Sequence, residues 1–91
     1  HKVFATADGV VSHSGWTSGY GIAVVVDHNS SVSTLYAHLS ESLVVEGKEI
    51  KKGDLIGLMG STGRSTGPHL HYEILINDEH MDPMMFWDMM L

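Results

Sequence analysis

The chain has 91 residues, seven of them histidine, no cysteine, and a net charge of −6 with the histidines neutral. Zero cysteine excludes a disulfide framework and a thiolate-bound zinc, and five basic residues leave no cationic stripe to hold a nucleic acid or an anionic surface. No apolar run is long enough to span a bilayer, the length suits one small domain, and the histidine content is a first hint of metal or acid–base chemistry.

Val3-Phe4-Ala5-Thr6 reads as a strand that starts abruptly, without a cap or leader before it. Ala7-Asp8-Gly9 carries an Asp-Gly hairpin signal, because these residues tolerate positive φ, so Val10 to Ser14 is expected as the return strand. Gly15 to Gly21 is expected as a loop, whose Trp16 and Tyr20 either line a cleft or cover a small core. Ile22 to Asp27 is a continuous apolar run, as in a strand buried on both faces. His28 to Ser31 is a turn. Val32 to Leu39 is the next strand, and its alternation predicts Leu35, Ala37 and Leu39 on one face with Thr34, Tyr36 and His38 on the other.

Ser40 to Val45 reads as a connector. Beyond it, Gly47, Gly53, Gly57 and Gly60 punctuate short apolar pieces around Ile50, Leu55, Ile56 and Leu58, the pattern of short strands and tight turns in an all-β domain. Lys48, Lys51 and Lys52 form a solvated turn face. Gly60 to Gly67 is turn-rich and leads to Pro68, which suits the first position of a strand. His69-Leu70-His71 then enters the alternating, β-branched run Tyr72 to Ile76. Residues two apart share a strand face, so His69, His71 and Glu73 project together while Leu70 and Tyr72 point away. Two imidazoles on one face can divide labour, one holding a metal and the other moving a proton. Asn77 to His80 is a polar turn. Asp82 and Pro83 read as the cap and first position of a short C-terminal helix, Met84 to Leu91, whose methionines, Phe86 and Trp87 pack on the sheet.

Taken in order, Ala7-Asp8-Gly9-Val10-Val11, Gly19-Tyr20-Gly21, Asp27-His28, Tyr36-Ala37-His38-Leu39-Ser40, Lys52-Gly53-Asp54, Ile56-Gly57, the stretch from Gly60 to Glu73 and Asp82-Pro83 resemble the lysostaphin/LytM-type zinc endopeptidases that cut peptidoglycan cross-bridges. The likeness runs over nearly the whole chain. It implies an all-β fold, a small antiparallel β-sheet or sandwich of the duplicated-hybrid-motif kind, with a groove across it. It also implies Zn2+ as cofactor, with His71 as a zinc ligand, His69 as general base or proton shuttle, and His38 as the residue that orients water or stabilises the transition state. Tyr36, Arg64, Ser65 and Thr66 are the candidates for substrate binding in the groove.

The family's further His-x-x-x-Asp motif, which supplies the other two ligands, has no counterpart here. Residues 1–91 are therefore expected to be one N-terminally incomplete peptidase domain, inactive alone and completed by an upstream segment or a second chain. His13, His28 and His80 are candidates to stand in for the missing ligands. The expected partner is peptidoglycan peptide, in the periplasm or outside the cell, with no nucleic acid and no membrane insertion. The competing reading is a catalytically incomplete LytM-type module that binds or activates other cell-wall hydrolases. A third, a biotinyl- or lipoyl-type carrier, follows from the glycine spacing after Lys52 and needs a modified Lys51 or Lys52.

Overall fold

The computed structural model describes residues 1–60, 70–77 and 79–81. The apolar run after Gly21 becomes a central strand with side chains buried on both faces, as its composition requires. With it, the described residues form eight strands in chain order: β1 (Lys2–Phe4), β2 (Gly9–Thr17), β3 (Gly21–Asp27), β4 (Val32–Ser42), β5 (Glu49–Ile50), β6 (Leu55–Met59), β7 (His71–Ile76) and β8 (Glu79–Met81). Every pairing is antiparallel. The spatial order is β1-β6-β4-β3-β2-β5, with β7 paired to β4 and β8 paired to β7. Among the described residues the fold is thus all-β. The expected C-terminal helix, Asp82 to Leu91, lies outside them.

The longest strand, β4, organises the sheet. One edge pairs with β3. The other is shared: Val32 to Ala37 pair with β7, and Leu39 to Ser42 pair with β6. His38 is the residue where the partner changes. On the β3 side Val24 pairs with Tyr36 but Ile22 pairs with Leu39, so β4 carries one extra residue at this point. His38 absorbs it with φ 57°, in the left-handed region that histidine enters more readily than most side chains. Its N–H is not wasted, because it donates to the Tyr20 carbonyl at 2.8 Å.

This bulge corrects the expected alternation. An inserted residue shifts everything after it to the opposite face. Leu39 therefore joins Tyr36 in the larger core, with Val3, Val11, Val24, Val26, Ile50 and Ile56. Ala37 stays with Leu35 and Ala23 on the other face. Tyr36, Leu39, Ile56, Ile74, Val11, Val24 and Val26 are all essentially fully buried, each contributing roughly 1.5–3 kcal/mol by leaving water.

Three local expectations change. Asp8-Gly9 does not close a hairpin, since β1 pairs with β6 while β2 pairs with β3 and β5. Gly9 is needed for close approach instead: a Cβ there would lie 2.3 Å from the Asp27 carbonyl oxygen. Asp8 braces this crossing, its carboxylate accepting from the Lys52 backbone N–H at 2.7 Å. Gly15 to Thr17 continue β2 rather than forming a loop, and Trp16 is 66% exposed, so it does not cover the core. Ser40 to Ser42 likewise continue β4.

The larger core contains a polar chain. Tyr36 Oη accepts from the Thr6 N–H at 3.1 Å and from Thr34 Oγ1 at 2.9 Å, and lies 3.0 Å from Thr6 Oγ1. Thr6 Oγ1 in turn meets Tyr72 Oη at 3.1 Å. At the other end His28 Nε2 lies 2.8 Å from Thr34 Oγ1, and His28 Nδ1 donates to the Asp8 carbonyl at 2.6 Å. Burying hydroxyls in an apolar core costs little when each is paired. Among the described residues no buried side-chain polar atom lacks a partner.

Tyr36, a substrate-binding candidate from the sequence, is 1% exposed, with its hydroxyl bonded to Thr6 and Thr34. Tyr36→Phe should destabilise the fold by about 1–3 kcal/mol, because it takes the acceptor from the Thr6 N–H. Urea unfolding monitored by circular dichroism measures this.

Candidate active site

The second face of the sheet carries the chemistry. Ala37 pairs directly with His71 across β4 and β7, and opposite residues of an antiparallel pair share a face. The bulge then turns the next residue, His38, onto that same face. The two imidazoles meet edge to face, with ring centroids 5.5 Å apart and planes at 89°. His38 is buried, at 5% exposure, while the His71 side chain is 39% exposed. One ring is thus held rigidly in the wall and the other stands at the solvent boundary.

Glu73 follows two residues after His71 on β7 and shares its face, as the period of a strand dictates. Its Oε1 lies 2.7 Å from His71 Nε2. An ionised carboxylate only accepts, so Nε2 is the donor in this contact. The Glu73 side chain is 19% exposed.

Tyr20 closes the group. Positive φ at Gly19, 85°, and at Gly21, 69°, bends the β2–β3 connection around it, a conformation that glycine adopts without strain. Its ring stands 5.7 Å from the His71 ring, and its hydroxyl donates to both Glu73 oxygens at 3.4 Å. Burial pushes the Tyr20 phenol up from the usual tyrosine value, and the charge and hydrogen bond of Glu73 push it further. Tyr20 therefore stays a hydroxyl donor. Ala23, Leu35 and Ala37 form the packed layer beneath, with Tyr20, Val25 and Leu75 against them.

Of the residues singled out in the sequence, the structure brings His38 and His71 together. His69, Arg64, Ser65 and Thr66 lie outside the described residues. Tyr20 was left between two roles by the sequence; the structure packs its ring against Ala23, Leu35 and Ala37 with its hydroxyl at Glu73. Two of the candidate stand-in ligands, His13 and His28, are engaged elsewhere. His28 belongs to the core chain, and His13 Nε2 lies 2.8 Å from Thr17 Oγ1 and 3.3 Å from the Gly15 carbonyl. His80 falls in β8, paired with Leu75, rather than in a turn.

Among the described residues no group of three or more His, Asp or Glu side chains could hold a metal ion. What they do supply fits one metal ligand: an imidazole, His71, with a carboxylate on Nε2, the usual arrangement of a ligating histidine.

Residues 1–83 match the model of peptidase family M23. The chain is 52% identical over 82 residues to the DD-carboxypeptidase/endopeptidase Mpg of Neisseria meningitidis serogroup B, covering 90% of this chain and 19% of that protein. It is 44% identical over 81 residues to the peptidoglycan DD-endopeptidase ShyC of Vibrio cholerae, covering 89% of this chain and 19% of that one. The chain thus spans about a fifth of the length of these relatives. Its structure superposes on a zinc-containing peptidase from Vibrio cholerae with a TM-score of 0.87 at 42% identity, over 91% of this chain and 26% of that one. It also superposes on the catalytic domain of lysostaphin from Staphylococcus simulans with a TM-score of 0.87 at 34% identity, over 96% of this chain and 70% of that one.

Position 38 has separable backbone and ring roles. His38→Val, β-branched in a left-handed conformation, should cost about 1–3 kcal/mol of stability. His38→Asn, which tolerates that conformation, should remain within about 1 kcal/mol of the parent while lacking the imidazole. Paired chemical denaturation curves check this.

Proposed function

The chain belongs to peptidase family M23, and from that premise we propose that it is the histidine-bearing part of a zinc-dependent endopeptidase that hydrolyses peptide cross-links of peptidoglycan, in the cell envelope outside the cytoplasmic membrane. The observation that carries the reading is the pair of imidazoles, His38 and His71, 5.5 Å apart on one open face, with Glu73 on the far nitrogen of the more exposed ring. A core histidine satisfied by backbone groups would have no reason to face a second one across a cleft.

In this reading His71 holds zinc through Nδ1, and the remaining ligands come from an upstream segment of the protein or from a second chain. Zinc, when bound, supplies Lewis acidity that polarises a scissile carbonyl and makes water nucleophilic near neutral pH. His69, two residues before His71 in the sequence, accepts the proton of the attacking water and returns it to the leaving amine, work suited to a group that titrates near neutrality. His38, immobilised by the bulge and by burial, presents its ring to the developing oxyanion. A donor that is fixed in advance costs no reorganisation at the moment of reaction. Arg64, Ser65 and Thr66 bind the peptide in this reading.

The test uses the full-length protein with zinc and cross-linked muropeptides, with products read by mass spectrometry and bound metal by elemental analysis. We expect cleavage by the parent. His71→Ala should lose both zinc and activity. His69→Ala should keep zinc and lose about 10²–10⁴-fold in turnover. Equal metal loss in the two variants would show the roles to be misassigned. Stimulation of a second hydrolase without cleavage by the zinc-loaded protein itself would favour the activator reading.

A further inference from the structure

The reading above uses Glu73 only as a mark of the proposed metal ligand and gives neither it nor Tyr20 a role of its own, although Glu73 bonds that ligand and Tyr20 touches both. Taking His71 as that ligand, we propose that Glu73, braced by Tyr20, is the positioning residue that fixes its ring and leaves Nδ1 as the only nitrogen able to bind the metal.

The argument starts from the freedom of a histidine on an open face. The His71 side chain is 39% exposed, so burial does not hold its ring. Its two nitrogens differ only by what they bond to, and either can bind a metal if the other is protonated. The 2.7 Å contact from Nε2 to Glu73 Oε1 removes that ambiguity. It commits Nε2 as a donor and fixes the ring about its χ2 axis.

The carboxylate must itself be held, since glutamate has three rotatable bonds and is costly to order. Tyr20 provides the brace. Its hydroxyl lies 3.4 Å from both carboxylate oxygens, and its ring packs 5.7 Å from the His71 ring. Glu73 and His71 share a strand, so their spacing is set by its period. Tyr20 comes from the opposite side of the sheet, where Gly19 and Gly21 turn the chain and the Tyr20 carbonyl takes the His38 N–H at 2.8 Å. One residue thus secures both imidazoles, His38 through its backbone and His71 through Glu73. Ordinary rim pairing would need no such second contact, and a rim carboxylate would not be left 19% exposed beneath a tyrosine.

The test combines metal affinity with a signature of the metal-free protein. In the full-length protein without metal, we expect a slowly exchanging, downfield Nε2–H proton resonance, assigned to His71 by its loss in H71A. E73Q, which keeps an acceptor, should retain it; E73L should lose it. Zinc affinity by chelator competition should fall about 10- to 100-fold in E73L, recover most of that loss in E73Q, and fall only a few-fold in Y20F. Folding of each variant is verified by its thermal transition, and if E73L does not fold, Y20F decides on the same two readouts. An unchanged resonance and unchanged zinc affinity in folded E73L, or in Y20F where it decides, would overturn the proposal while leaving His71 as a ligand. Wild-type zinc affinity in H71A would instead overturn the metal-ligand reading itself.

Discussion

The arrangement of this protein depends on one residue in a left-handed conformation. At His38 the strand β4 takes in an extra residue against β3 and exchanges β7 for β6 on its other edge. A regular strand could not serve both neighbours and keep its face. With strict alternation His38 would point into the core beside Tyr36, and Leu39 would point into the cleft. The bulge reverses both. It sends a polar ring to the face of His71 and an aliphatic side chain to the core, so both placements come from the same backbone irregularity.

The two faces of the sheet then use histidine in different ways. On the inner side His28 ends a chain of hydroxyls through Thr34, Tyr36 and Thr6 to Tyr72, and that chain ties the Asp8 crossing to the centre of the sheet. Every group in it has a partner, from the buried Thr34 and Tyr36 out to Thr6, which is exposed. On the outer side His38 and His71 face each other over a floor of small and aliphatic side chains, with an acceptor on only one nitrogen of His71. The backbone of β7 links the sides: Tyr72, paired with Tyr36, stacks 5.3 Å from its ring, while the preceding His71 faces out.

Much of this was legible in the residues. Alternation placed His71 and Glu73 on one face of a strand, and the apolar run from Ile22 to Val26 announced the central strand. The ordered motifs pointed to a family whose model matches residues 1–83. What periodicity missed was tertiary in origin. A bulge has no signature in alternation; its cause here is the change of partner strand, which requires knowing where β6 and β7 lie. The Asp8-Gly9 pair carries the composition of a hairpin, but Gly9 is there to let β2 pass the end of β3. Tyr36 shares a motif with His38 and was read with it, yet lies on the opposite face because a single residue intervenes at the bulge. Tyr20 was ambiguous because its role comes from Glu73, distant in sequence.

The central claim, that the irregularity in β4 delivers His38 to the face of His71, is tested most directly by nuclear Overhauser contacts between ring protons in histidine-labelled full-length protein. At a centroid separation of 5.5 Å, we expect a cross-peak between the carbon-bound ring protons of His38 and His71, absent in His38→Asn. A His38 ring that instead shows contacts to the Tyr36 and Tyr72 rings, with none to His71, would contradict the account.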